Sequence, residues 1–261
     1  MPLHVEVRGS GPPLVVLHGF TQTGRLWGDF GARLEKEFSV VAVDLPGHAG
    51  SDQVRADLPA AGGLVAEAVR EVLGESPCAL LGYSLGARVG LHVALGTDLG
   101  ISHLVFIGVT AGLEDEGLRE ERRAADEALA DQLEASDDIG PFVDRWLRGP
   151  MFNRLTDTGA ADRTERLRNS AAGLASSLRL CGTGTQVPSW DRLGSLTPPV
   201  LALAGTDDAR FAGHALRVAQ LAPRGAATLV PGGGHAVHLA QPAQAARLVC
   251  HWLRSVDPDP D

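Results

Sequence analysis

Gly82-Tyr83-Ser84-Leu85-Gly86 is the stretch on which the fold turns. The apolar run Ala79–Leu81 precedes it and the periodic segment Leu85–Leu95 follows it, which places the pentapeptide between a buried strand and a helix. A serine on so sharp a strand-to-helix turn needs glycine on both sides, because side chains there would collide with neighbouring backbone. The helix leaves its first N–H groups unpaired and turns its positive dipole end toward the serine, which suits a developing oxyanion. A nucleophile turn of this kind requires a base, an acid behind the base and a second backbone donor.

Outward from this point, short apolar runs alternate with amphipathic stretches, the pattern of a parallel sheet covered by helices. Strands are expected at His4–Arg8, Leu14–Leu17, Val40–Val43, Ala79–Leu81 and Leu104–Ile107, with helices at Trp27–Glu37, Leu64–Leu73 and Leu85–Leu95. From Leu113 to about Leu193 no strand pattern is visible, only helical stretches such as Glu116–Glu134 and Thr164–Leu180. Strands return at Val200–Ala204 and Ala227–Val230, followed by helices Phe211–Leu221 and Ala240–Leu253. The expected fold is α/β: a mostly parallel central sheet flanked by helices, with a helical cap inserted before the last two strands. Residues 1–112 and 196–256 form the core on this division, 113–195 the cap, and 257–261 a disordered tail.

The partners of Ser84 follow in the chain order serine, acid, histidine. Gly205-Thr206-Asp207-Asp208 leaves the strand Val200–Ala204, so an acid emerges at that strand's carboxyl end, and spacing alone does not choose between Asp207 and Asp208. Gly232-Gly233-Gly234-His235 follows the last strand, a flexible loop able to return an imidazole toward Ser84, whereas His238 reads as a helix-start residue. His18-Gly19-Phe20 follows Leu14–Leu17, where the N–H of Phe20 can pair with that of Leu85 as an oxyanion hole. His18 itself reads as a hydrogen-bonding support behind the loop.

Composition narrows the partners. The 261 residues are 44% hydrophobic and 21% charged, enough for a sizeable core and incompatible with global disorder. A net charge of −9 argues against nucleic-acid or anionic-membrane partners. Lys36 is the only lysine among 23 basic residues. Cys78, Cys181 and Cys250 are too few and too scattered for a disulfide framework or a zinc site, and they read as small buried hydrophobes. No secretory signal or membrane span is visible, so the chain reads as soluble and cytoplasmic, with no metal or other cofactor called for and no oligomeric state indicated.

Among the arginines, Arg88 lies one turn after Ser84 on the same helix face. A guanidinium there is costly to desolvate unless it meets a carboxylate. Arg122 and Arg168 lie on the expected cap helices, where an arbitrary arginine is usually solvated. Convergence of all three above Ser84 would mark a small polycarboxylate substrate.

The serine turn, the acid, the histidine and the Phe20 loop together resemble the α/β-hydrolase superfamily. Ser84 stands where epoxide hydrolases and dehalogenases of this fold carry Asp, leaving ester, amide or C–C hydrolysis, or proton abstraction. A narrower resemblance rests on Asp44-Leu45-Pro46-Gly47-His48-Ala49-Gly50-Ser51, on Gly82–Arg88, and on Arg119, Arg122, Trp146, Pro150-Met151-Phe152 and Leu167-Arg168-Asn169. Gly173–Arg179, Gly182-Thr183-Gly184-Thr185-Gln186 and Trp190 extend it. These residues are similar to those of the 2-succinyl-6-hydroxy-2,4-cyclohexadiene-1-carboxylate synthases of menaquinone biosynthesis. The resemblance implies a lyase in which Ser84, activated by His235 and Asp208, removes a proton and pyruvate is eliminated. It favours Asp208 over Asp207, assigns Arg88, Arg122 and Arg168 to substrate carboxylates, and places Trp146 in the pocket wall. Leu147 departs from the tyrosine that some members carry. The alternative is a serine hydrolase, a carboxylesterase or C–C hydrolase, acting on a small carboxylated substrate.

Overall fold

The computed structural model describes residues 2–152 and 159–258. Its strands are β1 (Val5–Gly9), β2 (Pro13–Leu17), β3 (Ser39–Val43), β4 (Cys78–Tyr83), β5 (Ile101–Ile107), β6 (Val200–Gly205) and β7 (Gly225–Val230). They form one sheet in the order β1-β3-β2-β4-β5-β6-β7, with β1 antiparallel to β3 and all other neighbours parallel. The central strands are apolar throughout because helices cover both faces. Val15, Leu17, Val41, Val43, Leu80, Leu104 and Phe106 face one buried layer, and Leu14, Val16, Val40, Ala42, Leu81, Val105 and Ile107 face the other. Strand order reverses between β2 and β4, which opens a crevice at their carboxyl ends.

Helices α1 (Gly28–Leu34), α2 (Leu58–Leu73) and α3 (Leu85–Gly96) link the first strands. α2 begins earlier than expected: Asp57 caps it by accepting from the Ala60 N–H at 2.9 Å, and Pro59 suits its first turn. The two glycines at 62 and 63 had masked that turn in the sequence. α4 (Glu116–Glu134) has the expected limits, fixed at its start by the Asp115 cap.

The expected single helix Thr164–Leu180 is two helices, α6 (Gly159–Arg166) and α7 (Ala171–Cys181), after a short α5 (Gly140–Leu147). Ser170 caps α7 through the Gly173 N–H, and the Asn169 side chain is spent on core backbone, so the helix cannot run through. The helices of this insertion pack around Ala130, Leu133, Phe142, Val143, Leu174 and Leu178, with Phe20 of the core against them.

α8 (Ala209–Leu221) follows β6, and α9 (Val237–Ala240) and α10 (Pro242–Ser255) follow β7. The expected helix Ala240–Leu253 divides at Gln241, because Pro242 cannot continue the preceding turn. Of the tail expected to be disordered, the carbonyls of Asp257 and Pro258 accept from the Arg224 guanidinium, and residues 259–261 lie outside the described residues. Among the described residues no helix is long and apolar enough to cross a membrane, and no cluster of side chains could hold a metal ion. Cys78, Cys181 and Cys250 are free and buried.

Candidate active site

Ser84 ends β4 and opens α3 with φ +52°, a left-handed conformation that a non-glycine residue rarely adopts. A Cβ at Gly86 would lie 2.0 Å from the Leu17 carbonyl oxygen, and one at Gly82 would lie 2.4 Å from that of Gly86, so both glycines are sterically required. The Ser84 hydroxyl does not cap its own helix. It lies 3.0 Å from His235 Nε2 instead.

His235 reaches Ser84 from the loop after β7, and its Nδ1 lies 3.0 Å from Asp208 Oδ2. The second Asp208 oxygen accepts from the Phe211 N–H at 3.3 Å, so the carboxylate that orients the imidazole also caps α8. Burial would raise the Asp208 pKa, but the His235 contact, the Phe211 N–H and nearby Arg210 outweigh it and hold the carboxyl below its ordinary value. Asp207 is exposed and lies beside the Thr206 hydroxyl, leaving Asp208 as the acid in contact with His235.

Gly108, at φ +62° after β5, is a part of the site that the sequence did not signal. A Cβ there would come within 2.8 Å of the His235 ring, so no side chain, and hence no acid, can stand at that strand end. Phe211 packs against the imidazole, with ring centroids 4.3 Å apart.

Phe20 sits in the loop after β2, across the crevice from Ser84. His18 supports this loop: its Nε2 accepts from the Leu45 N–H at 3.0 Å, which leaves Nδ1 to donate to the Gly19 carbonyl at 2.9 Å. Gly19 N–H donates to Gln22 Oε1 at 2.8 Å, closing the turn. Leu85 is the first residue of α3, where a helix amide has no intrahelical acceptor. Phe20, Leu85, Ser84 and His235 line one cavity, whose empty space is about 710 Å³ when its solvent-open mouth is included.

The same cavity is lined by Arg88, Arg122, Trp146 and Arg210. Arg88 is buried, donates to the Cys181 carbonyl at 2.7 Å, and is pulled down to about 10 by burial, so it stays charged at neutral pH. Arg122 pairs with Asp126 at 2.9 Å. Asp126 is 3% exposed, and burial raises its pKa against the opposing pull of Arg122 and Arg88. Trp146 packs edge-on against Phe20, with ring centroids 5.1 Å apart.

Arg168 is the correction. It does not line the cavity; it lies half-exposed in a small groove with Arg25, Asp44 and Ala49, 3.6 Å from Glu165. It falls in the turn between α6 and α7, where the expected continuous helix is broken, and not on the face of a helix above Ser84. Arg210, which the sequence reading passed over, supplies the third cation. Among the described residues it forms no ion pair, and its guanidinium lies 5.7 Å from the Phe211 ring centroid. Its place two residues after Asp208, on the first turn of α8, was the available signal.

Beneath the site, His238 is fully buried between Tyr83, Trp27 and Phe30, 4.3 Å from the Tyr83 ring centre. Burial pushes it down to about 3, and does the same to His48 (about 3) and His18 (about 4). These histidines are neutral when folded and become protonated when unfolded once the pH falls below about 6.5. Their contribution to stability is therefore complete above that value and is lost as the pH falls toward 4. Thermal unfolding from pH 7 to pH 4 should show a steadily falling Tm. His238→Phe, which cannot be protonated, should show a shallower fall, and parallel curves would contradict this assignment.

Comparison with known proteins agrees with this architecture. The profile of the alpha/beta hydrolase family matches residues 14–248. The chain is 31% identical over 258 residues to a putative 2-succinyl-6-hydroxy-2,4-cyclohexadiene-1-carboxylate synthase of Bacillus subtilis, covering 96% of this chain and 93% of that protein. It is 31% identical over 252 residues to the synthase of that name from Serratia proteamaculans, covering 93% of each. Among solved structures, MenH from S. aureus superposes with a TM-score of 0.88 at 28% identity, covering 96% of this chain and 98% of that one. A thermophilic esterase from Thermogutta terrifontis, solved with malate bound, reaches 0.83 at 24% identity over 98% and 94% of the two chains, a likeness of fold. A Gly-x-Ser-x-Gly turn at the carboxyl end of the central strand, a sheet of this order and a family match over most of the length lead to one conclusion: the chain belongs to the alpha/beta hydrolase family.

Proposed function

We propose that this enzyme is a lyase that eliminates pyruvate from a succinyl-enolpyruvyl-hydroxycyclohexene-carboxylate, the reaction for which its relatives are named. The observation that carries the proposal is the Asp208–His235–Ser84 relay facing a cavity lined by Arg88, Arg122 and Arg210. Such a cavity selects a small anion on a protein whose net charge is −9, because the local field must overcome the global one. The cations are not the predicted three: Arg210 takes the place given to Arg168.

In this mechanism Ser84 Oγ removes the proton α to the succinyl carbonyl and passes its own proton to His235 Nε2. Asp208 holds the imidazole by Nδ1 and stabilises its charged form. The electron pair of the broken C–H bond moves toward the carbonyl oxygen, where the N–H groups of Phe20 and Leu85 stabilise the enolate. Its collapse forms the ring double bond and breaks the C–O bond to the enolpyruvyl group, which leaves and takes up a proton as pyruvate. The arginines bind the substrate carboxylates, Trp146 lines the pocket, and residues 113–195 act as the cap that closes it.

Product analysis tests the proposal. Purified protein given the succinyl-enolpyruvyl substrate should yield pyruvate and the cyclohexadiene carboxylate in equal amounts, with Ser84 unmodified by intact-protein mass. The same relay could form an acyl-enzyme. Succinate release with an acyl adduct on Ser84 would therefore establish the hydrolase alternative instead. Arg210 lies exposed at the cavity mouth, so its contribution should be modest. Arg210→Gln should raise KM about fivefold with little change in kcat, as expected for a contact made equally in ground and transition states. Unchanged KM would remove Arg210 from the substrate site.

A further inference from the structure

Thr21, the residue after the Phe20 donor, is fully buried and held at φ +66°. Threonine is branched at Cβ, and left-handed backbone is unusual for it, so such a conformation persists only where its surroundings impose it. Its carbonyl and hydroxyl are both bonded by side chains from the end of α6 and the turn that follows it. Asn169 Nδ2 donates to the Thr21 carbonyl at 2.8 Å, and Arg166 Nη1 donates to the Thr21 hydroxyl. Asn169 Oδ1 accepts from the Ala49 N–H at 3.0 Å, and Ala49 is a second left-handed non-glycine residue, at φ +40°. Asn169 is 6% exposed and Arg166 is fully buried. One carboxamide from the insertion thus bridges two strained loops of the core.

We propose that Asn169, assisted by Arg166, is a positioning residue for the oxyanion hole: together they pin Thr21, which with Phe20 forms the centre of the turn closed by the Gln22 N–H on the Gly19 carbonyl, and thereby aim the Phe20 N–H at the reacting oxygen. The inference rests on the proposed role of that N–H. A carbonyl held at 2.8 Å by a side chain with no free rotamer is rigid, and preorganised donors are effective because they need not reorient during reaction. The inserted helices therefore help to build the oxyanion hole as well as to cover it.

The test uses Asn169→Ala and Asn169→Asp. Aspartate retains an oxygen for the Ala49 N–H, loses the donor to Thr21, and places a negative charge near buried Arg166, so it is the variant expected to keep the fold. Each is measured for kcat and KM in pyruvate release, for Tm, and for affinity toward a small boronic acid, whose adduct on Ser84 places an oxygen in the hole. We expect kcat to fall about tenfold in folded protein, KM to stay within twofold, and boronate affinity to fall in parallel with kcat. Unchanged kcat and boronate affinity in Asn169→Asp would overturn the proposal. So would a fall in Tm with boronate affinity intact, the signature of a merely structural residue. Boronate binding needs the activated Ser84 and the hole but no elimination step, so it tests the positioning role even if wild-type protein releases no pyruvate.

Discussion

Ser84→Ala is expected to lower kcat for pyruvate release by about 10³-fold or more, because a positioned base contributes about 10²–10⁴. The hydroxyl lies 3.0 Å from His235 Nε2, and that ring is held at 3.0 Å by Asp208, so one hydroxyl oxygen is the point at which the relay meets the substrate. His235→Ala should cost a similar factor, since a serine without its acceptor cannot lose its proton at neutral pH. The double variant should be no slower than either single one, because groups that act as a unit are not additive. Removing the hydroxyl leaves the Ser84 backbone at φ +52°, so Tm should barely change. Steady-state rates for the three variants settle the matter; independent, multiplying losses would show that Ser84 and His235 do not act through one another.

Arg88→Met is expected to lower kcat/KM by about 100-fold. A charge-assisted contact to a carboxylate contributes about 1.5–3 kcal/mol, and each 1.4 kcal/mol is about tenfold. Arg88 stands at the upper end of that range because it is only 8% exposed and cannot be replaced by solvent. Among the described residues its one hydrogen-bond acceptor is the Cys181 carbonyl, and Asp126 adds a favourable field. A buried cation so sparsely paired weakens the folded state, and methionine preserves most of its stem. Activity should therefore fall while Tm does not. Arg88→Lys should recover only part of the loss, since a single ammonium cannot reproduce the planar fork. A parallel drop in Tm and activity would mark Arg88 as a structural residue.

The sheet and the triad candidates were legible because their signals are local. Short apolar runs alternating with amphipathic helical stretches mark strands covered on both faces, and the glycines around Ser84 are demanded by contacts as close as 2.0 Å. The acid was legible to a choice of two. The choice falls on Asp208 because it begins α8 with one oxygen on the Phe211 N–H and the other on His235, a double duty that spacing does not reveal. The inserted helices were harder to read. Arg168 is assigned to the substrate by the resemblance and expected on one long helix, but the helix stops before it, where Asn169 bonds to Thr21 and Ala49 across more than a hundred residues. Arg210 and Gly108 join the site only through the sheet order that sets the end of β5 beside β4 and that of β6 beside β5.

The most direct test of the whole account is pyruvate release from the succinyl-enolpyruvyl substrate, followed continuously with wild-type and Ser84→Ala protein at matched folded concentration. The wild type should turn over catalytically, and the variant should be slower by about 10³-fold or more. Wild-type protein that is folded yet releases pyruvate no faster than the uncatalysed background would contradict the account, as would equal rates for the two proteins.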